Sequence, residues 1–116
     1  MNPFPEDWEL LSLFDGEPTV LDSGVPWFYN RITFTVDRPL GRVECSIGPA
    51  DHALTFRCST EEQTVIALQL DDVSGLSTWR QGKLEGFTAT LEDPRRGELR
   101  IQISPDVSVA WCAPPA

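Results

Sequence analysis

The chain has 116 residues, eighteen of them Asp or Glu and nine Lys or Arg, for a formal net charge of −9 at pH 7. That length suits a single domain with one core. The charge argues against a phosphate backbone as partner, because nucleic-acid affinity rests on Lys and Arg displacing counterions; it suits either a basic protein, whose encounter the field would accelerate, or solubility alone.

The first residues, MNPFPEDWELLSLF, place carboxylates ahead of a short apolar stretch, with no basic segment and no small-residue cleavage site. They do not read as a secretory signal, and no apolar run approaches a membrane span. The expectation is a soluble, cytoplasmic chain with no membrane partner. Phe4, Trp8, Leu11 and Phe14 recur at helical spacing, Glu6, Asp7 and Glu9 sit where a helix N-terminus favours carboxylates, and Gly16 follows as a stop. A helix over about 5–14 is predicted, packing that aromatic stripe on a sheet.

An edge strand is predicted around 19–21. From there the apolar positions run Val25, Trp27, Tyr29 and then Ile32, Phe34, Val36, a change of phase near Asn30 and Arg31 that marks a bulge or a break. Arg38 to Gly41, RPLG, is a turn. Val43, Cys45 and Ile47 share one face of the next strand, GPADHA turns the chain, and Leu54, Phe56 and Cys58 return it. Symmetric pairing about that turn sets Cys45 opposite Phe56 and Cys58 opposite Val43, so the two sulfurs are diagonal neighbours and too far apart to bridge. All three cysteines, Cys112 included, are expected to be free thiols in the core; their spacing is not that of a zinc site.

TVIALQL, residues 64–70, is apolar on both faces for part of its length, with Ile66, Leu68 and Leu70 on one and Val65, Ala67 and Gln69 on the other. This predicts a central strand. Residues 71–86 read as the longest irregular connection. Beyond it Phe87, Ala89 and Leu91 alternate, as do Leu99, Ile101 and Ile103, and Val107, Val109 and Trp111, separated by the turns EDPRRG and SPD. Residues 113–116 are a short Pro-rich tail. Connections this short require antiparallel neighbours. The predicted fold is therefore α+β: an antiparallel meander sheet of six to eight strands over about 19–112, with one N-terminal helix packed on it, in a single domain.

Chemistry is thinly represented. His52 beside Asp51 reads as a solvated turn pair, since no nucleophile stands in a recognisable elbow. Glu61–Glu62, Asp71–Asp72 and Glu92–Asp93 are sequential carboxylate pairs, and adjacent strand residues point to opposite faces, which makes them poor catalytic dyads. Gly82 and Gly86 lack a phosphate-loop fingerprint. No catalytic residue, cofactor or metal is expected. Trp8 and Trp111 fall on predicted core faces. Trp79, in the irregular segment beside Arg80 and Lys83, is either a binding anchor or a lid on its own sheet.

The helix and turn ending Phe14-Asp15-Gly16, the stretch Asp72-Val73-Ser74-Gly75-Leu76 and the Gly86-Phe87 strand start, in this order of elements, resemble the small immunity proteins of bacterial polymorphic toxin systems, in particular immunity protein family fifty. The resemblance implies a non-catalytic chain that binds and neutralises a cognate protein toxin, expected to be basic. The partner surface predicted on this basis comprises Glu61, Glu62, Asp71, Asp72 and Glu85 with Trp79. The alternatives are a small-molecule-binding sheet protein with a pocket between helix and sheet, and a structural or oligomerisation module.

Overall fold

The computed structural model describes residues 1–112; the Pro-rich tail, 113–116, lies outside the described residues. The alternating pattern becomes nine antiparallel strands, and the amphipathic N-terminal stretch becomes the helix α1 (Asp7–Phe14). β1 (Thr19–Val20), β2 (Ile32–Arg38), β3 (Gly41–Gly48), β4 (Ala53–Ser59) and β5 (Thr64–Leu70) form one sheet in sequence order. β6 (Val73–Gln81), β7 (Leu84–Leu91), β8 (Glu98–Ser104) and β9 (Ser108–Cys112) form a second. The fold is α+β with the helix packed on the sheets, as expected, but the single meander divides into two at Asp71–Asp72. The reason is burial: one nine-stranded sheet would leave a whole face wet, whereas two facing sheets cover each other's apolar faces.

The inward rows meet in one cluster that includes Ile32, Phe34, Cys45, Ile47, Leu54, Phe56 and Cys58 from the first sheet and Leu76, Phe87, Ala89, Leu99 and Ile101 from the second. Phe56 and Phe87 touch across the layers with ring centroids 6.5 Å apart. Phe14 closes one side, stacked on Phe34 at 4.6 Å. The helix face differs from the predicted stripe: Leu10, Leu13 and Phe14 are buried, Leu11 is half-buried and Trp8 is 67% exposed. The stripe is rotated by about one residue, because the helix starts at Asp7 rather than Pro5 and leaves Phe4 on the preceding extended segment. The chain leaves the helix through Asp15, at φ 54°, the left-handed position expected at Gly16.

The phase change near Asn30 is a break. Trp27–Tyr29 form one 3₁₀ turn, and the buried Asn30 side chain holds the corner. Its Oδ1 accepts from the Arg31 and Asp22 amides at 2.8 and 3.2 Å, and its Nδ2 donates to the Asp22 and Val25 carbonyls at 2.6 and 3.1 Å. The β3–β4 register is the predicted one, with Cys45 opposite Phe56 and Val43 opposite Cys58. All three thiols are free; Cys45 and Cys58 are buried, but Cys112 is exposed.

Two strand assignments change. Residues 73–81, predicted irregular, form β6, paired with β7 around a turn at Gly82 with φ 62°. A register shift between Val73 and Gly75 breaks the alternation that would have marked it, so that Val73, Gly75 and Leu76 are all buried. β5, predicted central, is the outermost strand of its sheet. Its neighbour in sequence, β6, is only two residues away but belongs to the opposite layer, so among the described residues no strand pairs with β5 beyond β4.

The sheets are fastened at the end carrying the β2–β3 turn. The guanidinium of Arg38 donates to the Ile103 carbonyl at 2.7 Å and to Ser104 Oγ at 3.0 Å, and the Leu40 amide donates to Asp106 Oδ1 at 3.0 Å. At the other end the Val73 amide donates to the His52 carbonyl at 3.0 Å.

Candidate functional site

The six predicted partner residues fall into three places. Glu61 and Glu62 occupy the exposed β4–β5 turn, where Thr60 Oγ1 accepts from the Glu62 and Gln63 amides at 3.3 and 3.2 Å. Asp71 and Asp72 lie at the opposite end of β5, beyond a strand of seven residues that spans roughly 20 Å at the usual rise. Trp79 and Glu85 belong to the second sheet. The residues therefore bracket β5 at both ends and mark a separate position on the β6–β7 hairpin. They do not converge on one patch.

They differ also in what already engages them. Among the described residues Glu61, Glu62 and Asp71 form no ion pair, whereas Asp72 is paired with Arg96 and Glu85 with Arg80. A carboxylate already neutralised by an adjacent guanidinium contributes less to the field a partner meets. Of these six residues, the carboxylates without an ion pair are thus on the turns flanking β5.

Trp79 sits in a strand, not a loop, and leans on its own sheet. Its ring lies over Gly86, where an added Cβ would stand 2.7 Å from the ring carbon Cζ2 and 2.0 Å from the Ile101 carbonyl oxygen. The guanidinium carbon of Arg100 on β8 lies 4.0 Å from the ring centroid, a cation–π contact. The indole Nε1 is shielded from solvent without a hydrogen-bond partner. Of the two readings of Trp79, this geometry matches the lid. Arg100 was missed in the sequence because β6 was not seen as a strand, and the Trp79–Arg100 neighbourhood depends on the register of β6, β7 and β8.

Trp111, predicted in the core, is 48% exposed on the outermost strand β9, with Nε1 donating to the Arg96 carbonyl at 2.7 Å. His52 does not pair with Asp51: its Nδ1 lies 3.0 Å from both Glu92 Oε1 and the Val73 carbonyl, tying the first sheet to the β7–β8 corner. Asp93 accepts from the Arg95 side chain and amide, which lowers its carboxyl below the ordinary range. Burial raises the Cys45 thiol, and burial followed by the negative charge of Asp106 raises that of Cys58.

Two clefts, of about 320 and about 460 Å³, open to solvent and carry charged residues in their walls: Glu9, Arg80 and Glu85 in the first, Asp37, Arg38, Arg42 and Glu61 in the second. Among the described residues no group of three or more His, Cys, Asp or Glu is placed to hold a metal ion, and no helix is long and apolar enough to cross a membrane.

This is a two-sheet α+β fold in which three carboxylates without an ion pair, Glu61, Glu62 and Asp71, flank an outer strand. Among solved structures it is similar to a chain of the contact-dependent growth inhibition toxin–immunity protein complex from Klebsiella pneumoniae 342, with a TM-score of 0.77, 20% sequence identity and 92% of each chain covered. At that identity the likeness establishes the fold. No protein-family model matches the sequence, and no curated protein does.

Proposed function

We propose that this chain is an immunity protein, which binds and neutralises a partner protein toxin in a system of the contact-dependent growth inhibition kind. The observation that carries the reading is the full-length similarity to a chain of a toxin–immunity complex, spanning 92% of both chains. The net charge of −9 supports the inhibitor's side of such a pair, since an acidic chain is suited to meet a basic toxin quickly and cover its working face. It acts in the cytoplasm by binding rather than catalysis, through an acidic surface that includes Glu61, Glu62 and Asp71. Asp72, Glu85 and Trp79 are already engaged within the fold and contribute less. The narrower assignment to immunity family fifty rests on the sequence motifs around Asp15, Ser74 and Phe87. A small-molecule pocket has weaker support, because the two clefts are open and charged where a ligand site is mostly enclosed and apolar.

The test is co-expression with the toxin candidate encoded beside this chain. Growth arrested by the candidate alone should be restored by the chain in the same cell. Arrest that persists with both present contradicts the reading, and arrest by this chain alone would make it the toxin half.

A further inference from the structure

An edge strand offers a row of unpaired N–H and C=O groups, and proteins ordinarily cover such an edge or spoil it with Lys, Pro or a bulge. The inner edge strand of the second sheet follows that rule. Residues 2 and 3 lie along the start of β6, with the Asn2 amide donating to the Ser74 carbonyl at 2.7 Å and the Leu76 amide to the Pro3 carbonyl at 2.8 Å. β5 follows it only at its start, where the register shifts between Cys58 opposite Ile66 and Ser59 opposite Thr64 and leaves Val65 without a partner. Among the described residues its main chain bonds to β4 and to nothing on the other side. The strand, TVIALQL, holds no charge, Pro or Gly, and beyond that shift residues 66–70 pair regularly with β4, from Cys58 opposite Ile66 to Leu54 opposite Leu70. Val65 is 41% exposed, and Ile66 and Leu68 remain half-buried because no further strand covers them.

The charges at its ends decide what fits. A second copy of the chain is disfavoured: in antiparallel pairing centred between Ile66 and Ala67, Glu62 would face Asp71 and Glu61 would face Asp72 of the other copy. Parallel in-register pairing would set each acidic pair against itself. Like charges directly opposite are destabilising in a sheet. An extended segment with basic residues at both ends meets the reverse condition at both turns.

We propose that the free edge of β5 is a strand-addition site for an extended apolar segment of a partner protein, flanked on both sides by Lys or Arg. The edge supplies main-chain hydrogen bonds, Ile66 and Leu68 gain the missing cover, and Glu61, Glu62 and Asp71 set the choice of partner. The proposal deepens the toxin-binding reading and rests on it for the partner's identity.

The test is hydrogen exchange of the intact chain, read at residues 64–70. One probe is a synthetic peptide of alternating Thr and Val with two lysines at each end; the other carries glutamates in their place. The lysine peptide should slow the outward β5 amides by about tenfold or more, as expected when solvent-exposed amides become paired, and the glutamate peptide should not. The variant E61K/E62K/D71K, and separately Gln69→Lys opposite Thr55, should weaken lysine-peptide binding by about tenfold while retaining the native circular dichroism spectrum. Unchanged β5 exchange at millimolar lysine peptide overturns the proposal, as does equal protection by both peptides. Concentration-dependent protection of β5 in the chain alone, with a dimer in sedimentation, also overturns it and gives the edge to a second copy. The co-expression assay separates the two levels: rescue by a toxin that leaves β5 exchange unaltered removes strand addition and keeps immunity. Lysine-peptide binding without rescue keeps the edge site and removes the toxin as its partner.

Discussion

β5 and β6 are consecutive outer strands, two residues apart, and they end their sheets in opposite ways. β6 has residues 2 and 3 laid along it, and the fit depends on Gly75: a Cβ there would stand 2.8 Å from Pro3 Cδ and 2.9 Å from the Asn2 carbonyl oxygen. Among the described residues β5 has no main-chain partner beyond β4; it is uncharged along its length and acidic at its turns. The same chain therefore contains the means of covering an edge and leaves another open. The difference is informative because an open apolar edge is a hazard unless something binds it or its flanking charges keep copies apart.

Both edges border one shared core, and Phe56→Ala tests that most severely. The ring is fully buried between the sheets against Phe87. Its loss should cost about 3–5 kcal/mol in chemical denaturation, the usual penalty for emptying a large core site, and both sheets should lose stability together. A loss confined to residues 19–70 would mean that the layers unfold independently.

Gly75→Ala should abolish the contrast by uncovering β6. Overpacking against the Asn2–Pro3 backbone should destabilise the fold by about 1–3 kcal/mol, and the Leu76 amide should exchange faster as its bond to the Pro3 carbonyl is lost. Unchanged Leu76 exchange would show that the N-terminal segment is not what closes that edge. Leu68→Ala should have a smaller effect, about 1–2 kcal/mol, below the usual range for a fully packed leucine because the side chain is half-covered at the sheet margin. A cost equal to that of Phe56→Ala would mean that β5 is as buried as a central strand.

The smallest effect is chemical. In the native chain at pH 8, Cys112 should react promptly with a thiol reagent, while Cys45 and Cys58 should wait for denaturant. Burial favours their neutral form over the reactive thiolate, and the Asp106 charge adds to this at Cys58. Two prompt thiols would place one of these cysteines outside the core.

Local symmetry was legible in the sequence where it was strong. The spacing of Cys45 and Cys58 about GPADHA yields the observed β3–β4 register, and the change of phase after Tyr29 locates the break that Asn30 holds. Features that depend on the other layer were not legible. TVIALQL is apolar on both faces, which reads as a central strand, yet the feature that makes it an edge is the two-residue step into a second sheet. β6 was hidden by the register shift between Val73 and Gly75 and by its Ser, Thr and Gln content. Trp8 and Trp111 fit the expected periods and are nevertheless exposed, since period fixes a face but not which face meets the core. The candidate partner residues were recognisable as carboxylates. That Asp72 and Glu85 are neutralised by Arg96 and Arg80, leaving Glu61, Glu62 and Asp71 free, could be seen only in three dimensions.

The most direct test of the account is the association rate of the purified chain with the toxin encoded beside it, measured against ionic strength for the native sequence and for E61K/E62K/D71K. Steering by free carboxylates should give a rate that falls steeply with salt and drops by about tenfold in the variant, whose remaining salt dependence is shallower. A native rate indifferent to salt and to the three reversals, in a chain that still binds the toxin, would contradict an acidic surface around β5 as the part that meets it.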